Sequence, residues 1–195
     1  MPTTTPPVHH AKGSTLRSTL AFVRSIAGED AAERVLHRLP PDELARVRAA
    51  AATDEVPLDL LLALWRATDA EIGAEHPDWP EQSGAYSIAS AGVEHYSGIL
   101  RKKSPAEFLL QRVSLFRLFY QPGNQEVVEE DDGRAVLRLV GFDPGDPIFC
   151  RRQTGGLLHA VELAGGTGAA VRHVRCSLQG DAFCEWELRW QPPGE

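Results

Sequence analysis

The arrangement of three cysteines and one histidine is the feature that most constrains this chain. Cys176 and Cys184 are eight residues apart, and Gly180-Asp181 lies between them within apolar-rich flanks. The pattern predicts a β-hairpin with its turn at Gly180, which would place the two cysteine Cβ atoms about 5 Å apart on facing strands. Together with His173 and Cys150, the two thiols could complete a tetrahedral Cys₃His metal site.

The position of His173 adds a geometric condition to this site. His173 precedes Cys176 by three residues, so a regular strand would point the two side chains to opposite faces. The site therefore needs a bulge or a strand end near Val174 and Arg175. In the alternative interpretation, the cysteines are small buried apolar residues in a reducing compartment and His173 is a surface residue.

The C-terminal motif resembles a known family over about residues 145–190. The run Cys176-x₃-Gly180-Asp181-x₂-Cys184-x-Trp186 is similar to the signature of the 4-vinyl reductase domain. That small-molecule-binding module occurs in bacteriochlorophyll biosynthesis proteins and in phenol-responsive transcription activators. The resemblance implies a structural zinc held by Cys150, His173, Cys176 and Cys184, with His173 where the phenol sensors have glutamate. It also implies a ligand cavity and pairing through helices of the N-terminal half.

The composition excludes several classes of protein. The net charge is −7 and no stripe of basic residues appears, which disfavours nucleic-acid binding. The longest apolar run, from Val56 to Trp65, is short and broken by Asp59, so no membrane span is expected. The N-terminus lacks an apolar signal region, and three cysteines are an odd number for a disulfide framework. These features predict a cytoplasmic protein.

The order of patterns along the chain predicts an α+β fold. Residues 1–12 are rich in Pro and Thr and are expected to form a disordered tail, and residues 13–195 are expected to form one domain. N-terminal helices are followed by a β-β-α-β-β unit with a four-stranded antiparallel sheet. This order resembles the fold shared by the 4-vinyl reductase domain, transport-particle subunits and bacterial haem nitric-oxide sensors. The helical half also resembles an uncharacterised myxobacterial family.

Two predicted helices suggest surfaces for binding. The apolar helix at 56–74 carries leucines all around its axis (Leu60, Leu61, Leu62 and Leu64), which predicts a homodimer. The helix predicted at 105–120 is rich in aromatic residues, which either pack on the sheet as core or wall a cavity for an apolar or aromatic small molecule. The candidate ligand-binding residues are His95, Tyr96, Phe116, Phe119, Tyr120 and His159.

Haem is an alternative ligand because one of the related folds carries it. His95 and His159 are the histidines that could serve as axial ligands. The haem sensors bind the propionates with a Tyr-x-Ser-x-Arg motif, however, and the run that begins at Tyr86, Tyr-Ser-Ile-Ala-Ser, does not match it. The sequence therefore disfavours haem.

No catalytic motif is evident in the sequence. It contains no G-x-S-x-G, no H-E-x-x-H and no phosphate-binding glycine loop, and Gly155-Gly156 and Gly165-Gly166 indicate close packing or helix capping. The sequence predicts a non-enzymatic small-molecule-binding or regulatory module with a structural zinc, which would signal through a partner protein or a change of oligomeric state. The alternatives are a protein-interaction adaptor without a small ligand and an accessory factor in tetrapyrrole biosynthesis.

Overall fold

Helices make up most of the N-terminal half. A computed structural model of the chain describes residues 8–96, 105, 107 and 116–191, and for residues 91–96 it describes the backbone only. Residues 116–119 are also helical. The helices named below are α1 Gly13–Ala27, α2 Glu29–His37, α3 Pro41–Ala49, α4 Leu58–Ile72, α5 Trp79–Tyr96 and α6 Pro147–Leu163.

The strands form two antiparallel sheets. The smaller sheet has the order β2-β1-β3 and the larger has the order β4-β5-β7-β6. The β-β-α-β-β order and the four-stranded sheet confirm the predicted α+β fold class. The strands are β1 His10–Lys12, β2 Glu55–Pro57, β3 Tyr120–Gln121, β4 Asn124–Asp131, β5 Arg134–Val140, β6 Thr167–Arg175 and β7 Cys184–Gln191.

Helix α6 begins at a well-formed cap and lies on the larger sheet. The side chain of Asp146 accepts a hydrogen bond from the backbone N–H of Ile148 at 2.9 Å. Pro147 occupies the first turn, where the backbone N–H that proline lacks would have no partner within the helix. Leu157 of α6 and Leu137 and Trp186 of the sheet are all fully buried in one core cluster. Each such side chain stabilises the fold by roughly 1.5–3 kcal/mol. The helix is therefore held firmly against the strands.

Helix α4 is buried on several sides. The four leucines that predicted a homodimer (Leu60, Leu61, Leu62 and Leu64) are at most 3% exposed. They pack in the core of the chain itself, because α4 lies against α1 and α2. The structural reason for placing a dimer interface on α4 was therefore wrong.

Close approach between α5 and α6 depends on glycines. A Cβ atom at Gly155 would overlap the backbone of Glu81, and one at Gly84 would overlap the carbonyl oxygen of Arg152. Only glycine allows the two backbones to come this near. The expectation that Gly155 serves close packing is confirmed.

Some element boundaries differ from those expected. Residues 10–12, which the sequence placed in a disordered tail, form β1, because both edges of this strand find partners in β2 and β3. The predicted helix at 105–120 falls largely outside the described residues, and Tyr120 already belongs to β3. The assignment of residues 13–195 to one domain stays a prediction. None of the described helices is long and apolar enough to cross a membrane.

Candidate metal centre

Three elements bring the cysteines and the histidine together. Cys150 lies in the first turns of α6, His173 lies in β6, and Cys184 is the first residue of β7. Arg175 pairs with Glu185, and this register places the next residue, Cys176, opposite Cys184. The pairing shifts between His173 and Arg175, which confirms the bulge that the sequence required.

The four donor atoms are close enough to hold one ion. All of them, one from each residue, lie within 4.8 Å of one another. The Sγ atoms of Cys150 and Cys184 are 3.8 Å apart. Metal–thiolate bonds of about 2.3 Å in a tetrahedron place neighbouring sulfur atoms about 3.8 Å apart. The spacing of this pair therefore matches a tetrahedral metal site, and it is far longer than the sulfur–sulfur bond of a disulfide, about 2.05 Å.

The donors are shielded from water, and one of them has no partner. Cys150, Cys176 and Cys184 are 3%, 8% and 1% exposed. The Nε2 atom of His173 is buried and forms no hydrogen bond. Buried polar side-chain atoms are normally paired, so an unpaired ring nitrogen in this position needs an explanation. A cation bound between the thiols would supply the missing partner.

The thiols also perturb one another. The hydrogen bond with Cys150 lowers the pKa of Cys184 to about 4, and contacts with His173 and Ser177 act in the same direction. The same contact with Cys184, together with burial, raises the pKa of Cys150. Burial raises the pKa of Cys176. A bound cation would favour the thiolate form of all three cysteines.

The loop between β6 and β7 is shaped around this cluster. Asp181 accepts a hydrogen bond from the backbone N–H of Cys176 at 2.8 Å, and the backbone N–H of Ser177 donates to the sulfur of Cys184 at 3.4 Å. Gly180, at φ +97°, takes a left-handed conformation that suits glycine. Ser177 to Gln179 form one turn of 3₁₀-helix. These contacts position both Cys176 and Cys184.

Two side chains outside the donor set support it. The ring of Trp186 stacks on that of His173 with centroids 4.6 Å apart and planes 17° from parallel. The Trp186 N–H donates to Thr154 Oγ1 at 2.9 Å, and the Thr154 hydroxyl donates to the carbonyl oxygen of Cys150 at 3.0 Å. Sequence reasoning placed Trp186 in the motif but gave it no role. Its even spacing from Cys184, which puts both on one face of a strand, was the available signal.

The predicted ligand-binding residues are only partly brought together. Phe116 and Tyr120 have ring centroids 5.2 Å apart, and both contact Phe142. Phe119 is partly exposed. His159 lies ten residues beyond Phe149 on α6, about 15 Å along the helix axis, and its ring faces Glu162 at 3.5 Å. The side chains of His95 and Tyr96 lie outside the described residues. Ligand binding by this set stays a prediction.

The fold is that of H-NOX proteins of known structure. The Fe(II) unliganded H-NOX protein from K. algicida is 10% identical, covers 92% of this chain and 96% of its own, and superposes with a TM-score of 0.70. The Fe(II)NO form of an S. oneidensis H-NOX protein is 14% identical, and the match covers 92% of this chain and 99% of the S. oneidensis chain, with a TM-score of 0.68. An oxygen-binding H-NOX domain related to soluble guanylate cyclases is 12% identical, and the match covers 94% of this chain and 97% of that domain, with a TM-score of 0.67. No family model and no curated protein sequence matches the chain.

These structures correct two predictions. The 4-vinyl reductase resemblance was wrong, because the chain superposes over more than nine-tenths of its length on H-NOX proteins. The prediction of structural zinc as the cofactor, made from the spacing of the cysteines and His173 and from that resemblance, was wrong as well, because the similar structures are of Fe(II) and haem proteins. Cysteines at either end of a turn satisfy local geometry, and such a motif can occur in unrelated folds.

The described histidines and cysteines can be compared with the ligands that hold haem iron. Haem iron in proteins is commonly held by a histidine or by a cysteine thiolate. Of the histidine side chains that the structure describes, only His173 has a buried nitrogen without a partner, and it lies among the cysteines. The three thiols all belong to that same cluster. His159 is partly exposed beside Glu162. The side chain of His95, the other candidate axial ligand named from the sequence, lies outside the described residues.

Proposed function

We propose that this chain is a non-enzymatic regulatory module in which Cys150, His173, Cys176 and Cys184 bind one transition-metal ion. The observation that carries the proposal is the buried group of four donor atoms within 4.8 Å of one another. Three thiolates and an imidazole select ions that prefer soft ligands over magnesium or calcium. The fold, which sensor proteins also use, supports a regulatory role but does not specify one.

The donor set supports a structural and regulatory role over catalysis. Four protein ligands complete a tetrahedron and leave no position for water or substrate. The ion would join α6, through Cys150, to the hairpin of β6 and β7. Loss of the ion would release one of these elements from the other. A change at the metal centre would thus become a change in the surface formed by residues 176–183, which a partner protein in the cytoplasm could detect.

Metal content provides the test. Freshly purified protein, never exposed to chelator, should contain about one transition-metal ion per chain by elemental analysis. The apoprotein titrated with Co²⁺ should develop the intense near-ultraviolet absorption of thiolate-to-metal charge transfer, which saturates at one equivalent. Cys184→Ser and His173→Ala should lose most of both signals and several kcal/mol of stability, because binding of a metal is coupled to folding.

The matched control is His159→Ala. It removes a histidine from α6 that lies outside the cluster, so metal content and the cobalt spectrum should not change. Well under one equivalent of metal in the fresh protein, together with no cobalt charge-transfer band, would reject the site. In that case the cysteines would be ordinary core residues.

The described residues offer no evident interface for the homodimer predicted from the sequence. Helix α4 is occupied by the core, so any interface must use another surface. The described large apolar side chains that are exposed are spread over several elements: Val8, Leu118, Val128, Leu163, Val174 and Leu178. Scattered residues of this kind are normal on a monomer.

A further inference from the structure

A buried arginine lies in the core between α4, α5 and α6. The side chain of Arg152, on α6, is 5% exposed. Its guanidinium donates to the hydroxyl of Ser83 and, at 3.1 Å, to the hydroxyl of Ser87, both on α5. The guanidinium carbon lies 4.6 Å from the centroid of the Trp65 ring, on α4. The side chain is thus fixed from two sides.

This arginine lacks an anionic partner among the described residues. Its neighbour Arg151 pairs with both carboxylate oxygens of Glu81, at 2.6 and 2.7 Å. Arg152 has two serine hydroxyls and an aromatic ring instead. A guanidinium has five N–H donors, and a buried one normally faces a carboxylate, because an uncompensated buried charge is costly. Burial lowers the pKa of Arg152 to about 10, so the group is still a cation at neutral pH.

The surroundings of Arg152 combine hydroxyl groups with aromatic rings. The hydroxyls of Ser18 and Ser87 are 2.9 Å apart, and both residues are partly exposed, so this side of the group reaches the surface. On the other side, Trp65 lies 6.1 Å from Phe149, whose ring lies 5.2 Å from that of Tyr120. The nearby Tyr120 phenol raises the pKa of Arg152, against the larger effect of burial, which lowers it. Two hydroxyl groups, a fixed cation and buried aromatic rings therefore adjoin one another.

We propose that Arg152, with Ser83 and Ser87, binds the anionic group of a small molecule whose apolar part packs on Tyr120, the partly exposed ring beside it. The ligand class is a monocarboxylate with an aromatic ring or a short alkyl chain. A carboxylate would accept a two-point hydrogen bond from the guanidinium, which is the geometry that arginine favours. It would also neutralise the buried charge. This site is separate from the metal centre and shares no residue with it.

Paired probes test the charge requirement. Benzoate, phenylacetate and octanoate should each raise the Tm of the protein, whereas the corresponding neutral amides should not. At ten times Kd, the shift should be about 3–6 °C for a chain of this size. Inorganic phosphate at the same concentration serves as the anion without an apolar part and should give no more than a small shift.

Two neighbouring arginines give a matched pair of variants. Arg152→Met removes the charge but keeps most of the apolar stem, and it should abolish the carboxylate shift. Arg151→Gln changes the adjacent arginine, which is engaged with Glu81, and it should leave the shift intact. Neither variant should change the metal content, so failure here is distinguishable from failure of the metal centre.

Several results would overturn the proposal. One is the absence of any carboxylate-dependent shift in the wild-type protein at millimolar probe, which needs no variant to interpret. Another is an equal shift with carboxylate and amide, and a third is a shift that survives Arg152→Met. If Arg152→Met does not fold, the carboxylate and amide comparison on the wild-type protein decides alone. In each of these cases Arg152 would be a structural cation held by Ser83, Ser87 and Trp65.

Discussion

Trp186 adjoins the proposed metal centre without contributing a donor atom. Its ring covers one face of the His173 imidazole, and its N–H is linked through Thr154 to the backbone of Cys150. The indole thereby holds together two of the elements that provide donors. Side chains that orient metal ligands in this way commonly contribute 10–100-fold to metal affinity.

At the residue scale, we expect Trp186→Leu to weaken metal binding about 10–100-fold while all four donors remain. The leucine fills part of the volume but can neither stack on His173 nor donate to Thr154. Competition with a chromophoric chelator would measure the change in affinity. Trp190→Leu, at the far end of the same strand, should cost stability but leave the affinity unchanged. Equal affinity losses in both variants would contradict a specific role for Trp186.

The sequence allowed the positions of some site residues to be predicted but not those of others. The opposition of Cys176 and Cys184 and the bulge after His173 were predictable from strand geometry, whereas metal binding by the four residues stays a prediction. The burial of Arg152 was not predictable, because it depends on Trp65, Ser83 and Ser87, which lie 65 or more positions away along the chain. The one available signal was an arginine three residues before Gly155, on the packed face of a helix.

At the element scale, the contact of α5 with α6 sets the position of both sites. Gly84 and Gly155 let the two backbones approach closely. That approach fixes α6, which carries Cys150 on one side and Arg152 on another. Side chains inserted between such helices force backbone shifts that are typically worth 1–3 kcal/mol.

We expect Gly155→Ala to lower the free energy of unfolding by roughly 1–3 kcal/mol, even though alanine is the better helix former. The added methyl group would overlap the backbone of Glu81. Chemical denaturation, with the slope of the transition compared to that of the wild type, is the measurement. Gln82→Ala is the control at an exposed position of α5, and its free energy of unfolding should lie within about 0.5 kcal/mol of that of the wild type. If Gly155→Ala left the free energy of unfolding unchanged, α5 and α6 could move apart without loss of stability, and the prediction would be wrong.

The elements themselves were predicted best where their signal is local. Pro147 and Asp146 mark the start of α6, and the Asp131-Asp132-Gly133 turn separates β4 from β5. Strand β1 was missed because three residues beside a Pro- and Thr-rich run carry no periodicity. It exists as a strand because β2 and β3 pair with both of its edges, which are interactions distant in sequence.

At the scale of the whole molecule, the α+β fold class was predicted correctly, whereas the resemblance to the 4-vinyl reductase domain was wrong. The motif around Cys176, Gly180 and Cys184 is short, and it reflects the demands of a hairpin and a cluster of thiols. The superposition on H-NOX proteins instead involves more than nine-tenths of the chain. Identities of 10–14% leave almost no shared side chains from which that fold could be inferred.

The oligomeric state is the prediction that belongs to this scale. The leucines of α4 are buried, the exposed apolar residues are scattered, and the net charge is −7. Charge of one sign opposes association, and no described apolar patch offsets it. We therefore expect light scattering at micromolar concentration to give the mass of one chain, near 21.3 kDa. A stable mass of twice that value would restore the homodimer and require an interface away from α4.

Strand β1 has a consequence for the order in which the molecule can assemble. It is the middle strand of its sheet, yet one partner lies about 45 residues downstream and the other about 110. During synthesis on a ribosome, β1 would therefore wait for β2 and then for β3, while α1 to α4 can already pack. Removal of the first twelve residues would take away the middle of a sheet, and the outer strands β2 and β3 would lose the template that joins them.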